Sequence, residues 1–190
     1  MNRITFAGTL GVLLFATTAR ADTPSAEELE AAVTAFAQIA PAAEADDADA
    51  DLVAAAAMIS PPLTYAGFKY DRGDGMAPST AAKACRKRWG SAGTVKAKEL
   101  AAFLKCAEIA EWNATFGTWS VEDVRKLPAL LVPAKSQLKK LAQTQTLVYM
   151  HVDIPAPPDM WTAFAGTKDA DGHVRITAIV AGYVWRKNFH

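Results

Sequence analysis

The chain has 190 residues, 51% of them hydrophobic, and its 20 Lys and Arg balance its 20 Asp and Glu. Such neutrality gives no ground for binding nucleic acid or an anionic membrane, and the length is that of one domain able to bury a core. Phosphate loops, Gly-x-Ser-x-Gly, His-Glu-x-x-His and Cys-x-x-Cys are all absent, so no motif announces a cofactor, a metal or a catalytic apparatus.

The first residues read as an export signal. Arg3 supplies the basic start, Ile4 to Phe15 is apolar but too short to cross a bilayer, and Ala19-Arg20-Ala21 fits the small-x-small cleavage rule. Residues 1–21 are then a leader, and 22–190 form a single secreted or periplasmic domain with no stable membrane anchor. Removing the leader takes away Arg3 and Arg20, which leaves 18 bases against 20 acids, a net charge of −2.

Ser25-Ala-Glu-Glu28 is a capping-box pattern, and Leu29, Ala32, Val33, Phe36 and Ile39 recur at helical spacing. They predict an amphipathic helix over 26–40, ended by Pro41. An acidic linker, 42–51, follows within a helical region that spans 22–60. Asp47, Asp49 and Asp51 alternate as in a calcium loop, but Leu52 and Met58 stand where that loop needs Gly and Glu, so the run reads as solvated and metal-free. Leu52 to Ile59 is a second helix, stopped by Pro61 and Pro62. Leu63 to Tyr70 is a strand, with Tyr65, Phe68 and Tyr70 as its aromatics. The loop after it holds Arg72-Gly73-Asp74, a tripeptide known from adhesion proteins, where Gly-Asp-Gly is also ordinary turn chemistry.

Residues 79–112 organise the rest. Ser79 to Trp89 is a short basic helix, Gly90 and Gly93 break the chain, and Thr94 is placed to cap a helix whose Leu100, Phe103, Leu104 and Ala107 share one face. In the oxidising compartment that a leader implies, Cys85 and Cys106 are expected to pair. The bridge would staple the two helices and close a loop worth about 3 kcal/mol by chain entropy. Two buried thiols are the alternative.

Beyond this segment, Asn113 to Trp119 is a loop or edge strand, and Val121 to Leu131 and Pro133 to Gln143 are helices. The main strands lie in 145–186: Thr146–Ile154, Met160–Thr167 and His173–Trp185, with Asp171-Gly172 as a hairpin turn. Helices early and strands late predict an α+β fold, with N-terminal helices packed on one face of a C-terminal antiparallel sheet. This order is similar to the NTF2-like and cystatin-like families. The Cys-x-x-x-Trp, Gly-Thr-Val and Phe-Leu-x-Cys runs of residues 85–106 resemble those of uncharacterised exported bacterial proteins. The resemblance implies a shape and brings no activity.

Strand parity suggests where function lies. Val148, Met150, Val152 and Ile154, with Val174, Ile176, Ala178, Val180 and Val184, are expected beneath the helices. The opposite face would carry Tyr149, His151 and Asp153, then Arg175, Thr177, Ile179, Tyr183 and Trp185. Aromatics and Arg are enriched at interfaces, so Tyr149, His151, Asp153, Arg175, Tyr183 and Trp185 form the candidate binding set. The expected function is that of an exported domain binding a small apolar ligand or a protein partner, a second copy included, without a cofactor. The alternative is a hydrolase- or isomerase-type enzyme with an Asp or His base in an NTF2-like pocket. His151 and Asp153 suggest it, although residues two apart on a strand rarely hydrogen-bond directly.

Overall fold

The computed structural model describes residues 22–39, 49–67, 80–107, 114–127, 132–152 and 159–184. The leader, Arg72-Gly73-Asp74, most of the acidic linker, Phe68, Tyr70, Asp153 and Trp185 lie outside these residues. The helices are α1 (Ala26–Ile39), α2 (Asp49–Ala57), α3 (Thr80–Trp89), α4 (Leu100–Leu104), α5 (Val121–Lys126) and α6 (Val132–Ala142). The strands are β1 (Ile59–Ala66), β2 (Ala92–Val95), β3 (Ala114–Trp119), β4 (Leu147–Val152), β5 (Asp159–Lys168) and β6 (Val174–Val184), forming one sheet in the order β2-β1-β6-β5-β4-β3.

The α+β class expected from the sequence is the one observed. The sheet is antiparallel apart from one pairing, in which β1 runs parallel to β6. Pro61 and Pro62, expected to stop a helix, lie inside β1 instead, at the lapse in its ladder with β6 between Ile59 and Thr64. Proline has no N–H to donate to a ladder, so the pairing skips them.

Local chemistry explains the start of α1. The Ser25 N–H donates to Glu28 Oε2 at 2.8 Å, and the Glu28 N–H donates to Ser25 Oγ at 3.2 Å, which satisfies donors that the first helical turn leaves free. Lys168 Nζ reaches Glu28 Oε1 at 2.7 Å and ties this end to β5. The buried side chains of α1 are Leu29, Val33, Phe36 and Ala37.

The staple is present: Cys85 and Cys106 are bonded, with Cα atoms 5.6 Å apart. Leu100, Phe103, Leu104 and Ala107 are all buried, as their spacing predicts. The cap is elsewhere. Thr94 is part of β2, opposite Thr64, and the helical turn starts at Ala97 and becomes α4 at Leu100. Gly93 also lies within β2, while Gly90, with φ of 65°, ends α3. Pairing with β1, and the burial of Val95 opposite Leu63, outweigh a single hydroxyl's capping preference.

Two hydrophobic clusters sit on the two faces of the sheet. The N-terminal helices α1, α2 and α4 cover one face, which presents Val148, Met150, Phe164, Ile176 and Ile179. On the other face, Val124 of α5 and Leu138 and Leu141 of α6 close over Leu147, Ala163, Ala165, Ala178 and Val180. The parity expected for β6 therefore holds for Ile176 and fails beyond it. A bulge makes Ala165 pair with Ala178 while Gly166 pairs with Ile176, so Thr177 is extra and every later side chain changes face. Ile179 joins the helix-covered core, and Ala178 and Val180 turn to the second face.

Candidate functional site

The second face of the sheet builds an aromatic cluster at its β3–β4–β5 end. Tyr149 of β4 pairs with Gly117 of β3, and Trp161 of β5 pairs with Gly182 of β6. Both glycines admit the ring of their partner. A Cβ at Gly117 would meet the Tyr149 hydroxyl at 2.5 Å, and one at Gly182 would collide with Cζ2 of Trp161. Any other residue there would displace the ring. Trp119 joins them from the end of β3, stacked on Tyr149 with centroids 4.5 Å apart and edge-on to Trp161 at 5.0 Å. Its position is set by Ser120, which caps α5 through a reciprocal pair of bonds with Asp123 and turns the chain out of β3.

Trp161 is only 2% exposed, and its indole N–H, like that of Trp89 beside the staple, is buried without a hydrogen-bond partner. A buried donor left unmade costs about 1–3 kcal/mol, so native chains seldom keep one. The rings around it are half-buried: Tyr149 and Trp119 both keep part of their surface in solvent. His151 follows on the same strand, half-buried, between Thr115 of β3 and Trp161 of β5.

The structure thus brings Tyr149 and His151 together and adds Trp119 and Trp161, which strand parity applied to β4 and β6 alone did not reach. Their aromatic character was visible; their convergence depends on the pairing of β3, β4 and β5. Arg175 belongs to a different place. It sits opposite Thr167, and Tyr149 opposite Ala163, a separation of about 13 Å along β5 at the usual strand rise. Its guanidinium binds Asp169 Oδ2 through Nε at 2.8 Å and donates to the Ala57 carbonyl at 2.6 Å, so it locks the β5–β6 turn onto the end of α2. That bond holds the Asp169 carboxyl below the usual carboxylate range, helped by the backbone N–H groups of His173 and Asp171. Thr177, the bulge residue, donates to Gln145 Oε1 at 3.1 Å. Tyr183 lies in β6 opposite Met160, while Asp153 and Trp185 are outside the described residues.

Asp169, Asp171 and His173 also gather at the β5–β6 turn, close enough to share an ion. Asp169 there is already engaged by Arg175 and by the two backbone N–H groups, which accounts for the arrangement as turn structure. Among the described residues, no helix is long and apolar enough to cross a membrane. No known protein family matches the chain, and no curated protein is similar enough to match it.

Proposed function

We propose that this protein is an exported, non-catalytic binding domain that takes a small, largely apolar ligand at the Trp119–Tyr149–Trp161 cluster. One observation carries the reading: the buried indole N–H of Trp161 lacks an acceptor in a cluster where Trp119 touches both the Trp161 and the Tyr149 rings. A ligand with a ring body and one acceptor oxygen would complete that donor and stack on the surrounding faces. Tyr149, half-buried and one strand in from the sheet edge, is the side chain that would give way. The disulfide supports export, because such bonds persist in oxidising compartments. The likeness to NTF2-like and cystatin-like proteins belongs to this proposal and rests on the order of elements alone, since here α5 and α6 also cover the second face of the sheet.

The test is a two-dimensional 15N–1H spectrum of the indole N–H groups, titrated with acetophenone and cyclohexanone as carbonyl-bearing ring probes. The Trp161 resonance, assigned by its loss in Trp161→Phe, should move downfield as the carbonyl accepts its proton. Trp161→Phe should bind the same probes about tenfold more weakly, the worth of one hydrogen bond. A Trp161 signal unmoved at saturating probe would refute the reading. Native mass spectrometry of the protein from its own host would then identify the natural ligand.

A further inference from the structure

We propose that α3 is a flap that the Cys85–Cys106 bond holds closed, so that reduction of this bond by a dithiol opens it. Both cysteines are half-buried, which leaves the bridge near the surface, within reach of a reductant while the chain stays folded. Exposed bridges are the labile, regulatory ones, whereas structural bridges resist reduction. A thiolate of the dithiol attacks one sulfur of the bridge, the S–S bond breaks, and the other cysteine leaves and takes a proton. The second thiol of the reductant then attacks the mixed disulfide and frees the first cysteine. The protein gains two electrons and two protons as a pair of thiols, and the reductant becomes a disulfide.

What remains after reduction is too little to keep α3 in place. From residue 83 to residue 89 none of its side chains is fully buried. Two further fastenings lie at its last residue: the Trp89 ring meets Phe103 edge-on at 5.5 Å, and the Trp89 carbonyl accepts from the Tyr65 hydroxyl. Arg86 is engaged as well, at an exposed position, where polar contacts add little. A helix of 10 residues does not persist alone, because ordering each residue has an entropy cost that packing must offset. Closure carries penalties of its own. The indole N–H of Trp89 is buried without a hydrogen-bond partner, and water supplies an acceptor once the ring swings out. Lys83 and Lys87, both exposed and one turn apart, repel each other while the helix is formed.

The chain beyond α3 allows the movement. Gly90, with φ of 65°, follows the helix directly, and glycine absorbs a change of backbone angles at little steric cost. After it, β2 is pinned to β1, with Val95 buried opposite Leu63, so α3 pivots while β2 stays. The surface that α3 leaves also stays. Phe103 belongs to α4, and Tyr65 of β1 is seated over Gly93 of β2, where a Cβ would come within 2.9 Å of its hydroxyl. Opening therefore frees the Trp89 ring and uncovers the edges of Phe103 and Tyr65, while the six-stranded sheet keeps its pairing. The bond thus gates an apolar surface at one corner of the helix-covered core.

The experiment follows amide hydrogen exchange in the full mature chain, oxidised and then reduced by dithiothreitol without denaturant. On reduction, protection of residues 85–90 should fall at least about tenfold more than that of β5 and β6, and reoxidation should restore it. Cys85→Ser/Cys106→Ser should exchange as the reduced protein does, with or without reductant; reduced wild type gives the same reading if that variant does not fold. The rate of reduction itself should change less than about threefold between 0 and 1 M urea, because the bridge is attacked in the folded protein. Reduction through global unfolding would instead accelerate about fivefold or more over that range. Unchanged protection of α3 in the reduced protein overturns the proposal, since packing alone would then hold the helix. Equal loss of protection in α3 and in β5 and β6 overturns it by making the bond a support of the whole fold. A reduction rate that rises threefold or more with urea overturns it too, since the bridge would then open only when the fold does.

Discussion

Phe103 is the side chain on which the stapled segment and the sheet meet, and its removal has a size that can be worked out. It is fully buried, lies 4.7 Å from the Tyr65 ring and 5.5 Å from the Trp89 ring, and belongs to the cluster beneath α1 and α2. Losing a buried Phe forfeits about 1.5–3 kcal/mol of transfer free energy. The cavity left behind brings a typical core Phe→Ala change to about 3–5 kcal/mol. The two ring contacts place Phe103→Ala in the upper half of that span, near 4 kcal/mol, since each aromatic pair adds about 0.5–1.5 kcal/mol beyond its area. For a domain of this size that is a fall in Tm of about 8–16 °C. Urea unfolding of the oxidised protein gives the free energy, with Lys98→Ala as an exposed control expected within about 0.5 kcal/mol of wild type. Phe103→Leu, which keeps most of the volume, should cost less than half as much. Trp89 loses its packing partner in Phe103→Ala, so amide exchange in α3 should accelerate before exchange in β4–β6 does. A loss below about 1 kcal/mol in Phe103→Ala would refute the assignment of this residue as the joint between staple and sheet.

Reducing the Cys85–Cys106 bond should lower stability by about 3 kcal/mol, from a closed loop of 21 residues, and a protein that shows two reactive thiols when denatured without reductant would contradict the bridge. The Asp169 carboxyl sits below its ordinary range because of Arg175, so its contribution is complete above the unfolded value, about pH 4, and is lost as pH falls through the lower folded value. Asp169→Asn should accordingly lose stability near neutral pH and show a shallower decline of Tm between about pH 4 and pH 2 than wild type; parallel acid limbs for the two proteins would rule that out.

Much of this protein is decided within short stretches of sequence. The capping box of Ser25 and Glu28 needs only residues three apart, and the buried face of Leu100, Phe103, Leu104 and Ala107 follows from helical period alone. Two cysteines allow one intramolecular pairing, so Cys85–Cys106 was legible once the compartment was inferred. Other features depend on partners far away in the chain. Thr94 has the chemistry of a cap and becomes a strand residue because β1 offers a ladder. Pro61 and Pro62 look like a stop and are accommodated inside β1, because its neighbour β6 tolerates a lapse in pairing. The bulge at Thr177 is invisible to a period-two reading of β6, yet it moves Ile179 into one core and Ala178 and Val180 into the other. The candidate site divides in the same way. Tyr149 and His151 share a strand face by local geometry, whereas Trp161, Trp119 and their paired glycines meet them only when β3, β4 and β5 come into register. Arg175 shared the residue chemistry of that set and was drawn into a different contact by Asp169 and the end of α2, because position along a ladder is fixed by long-range pairing and no stretch of sequence contains it.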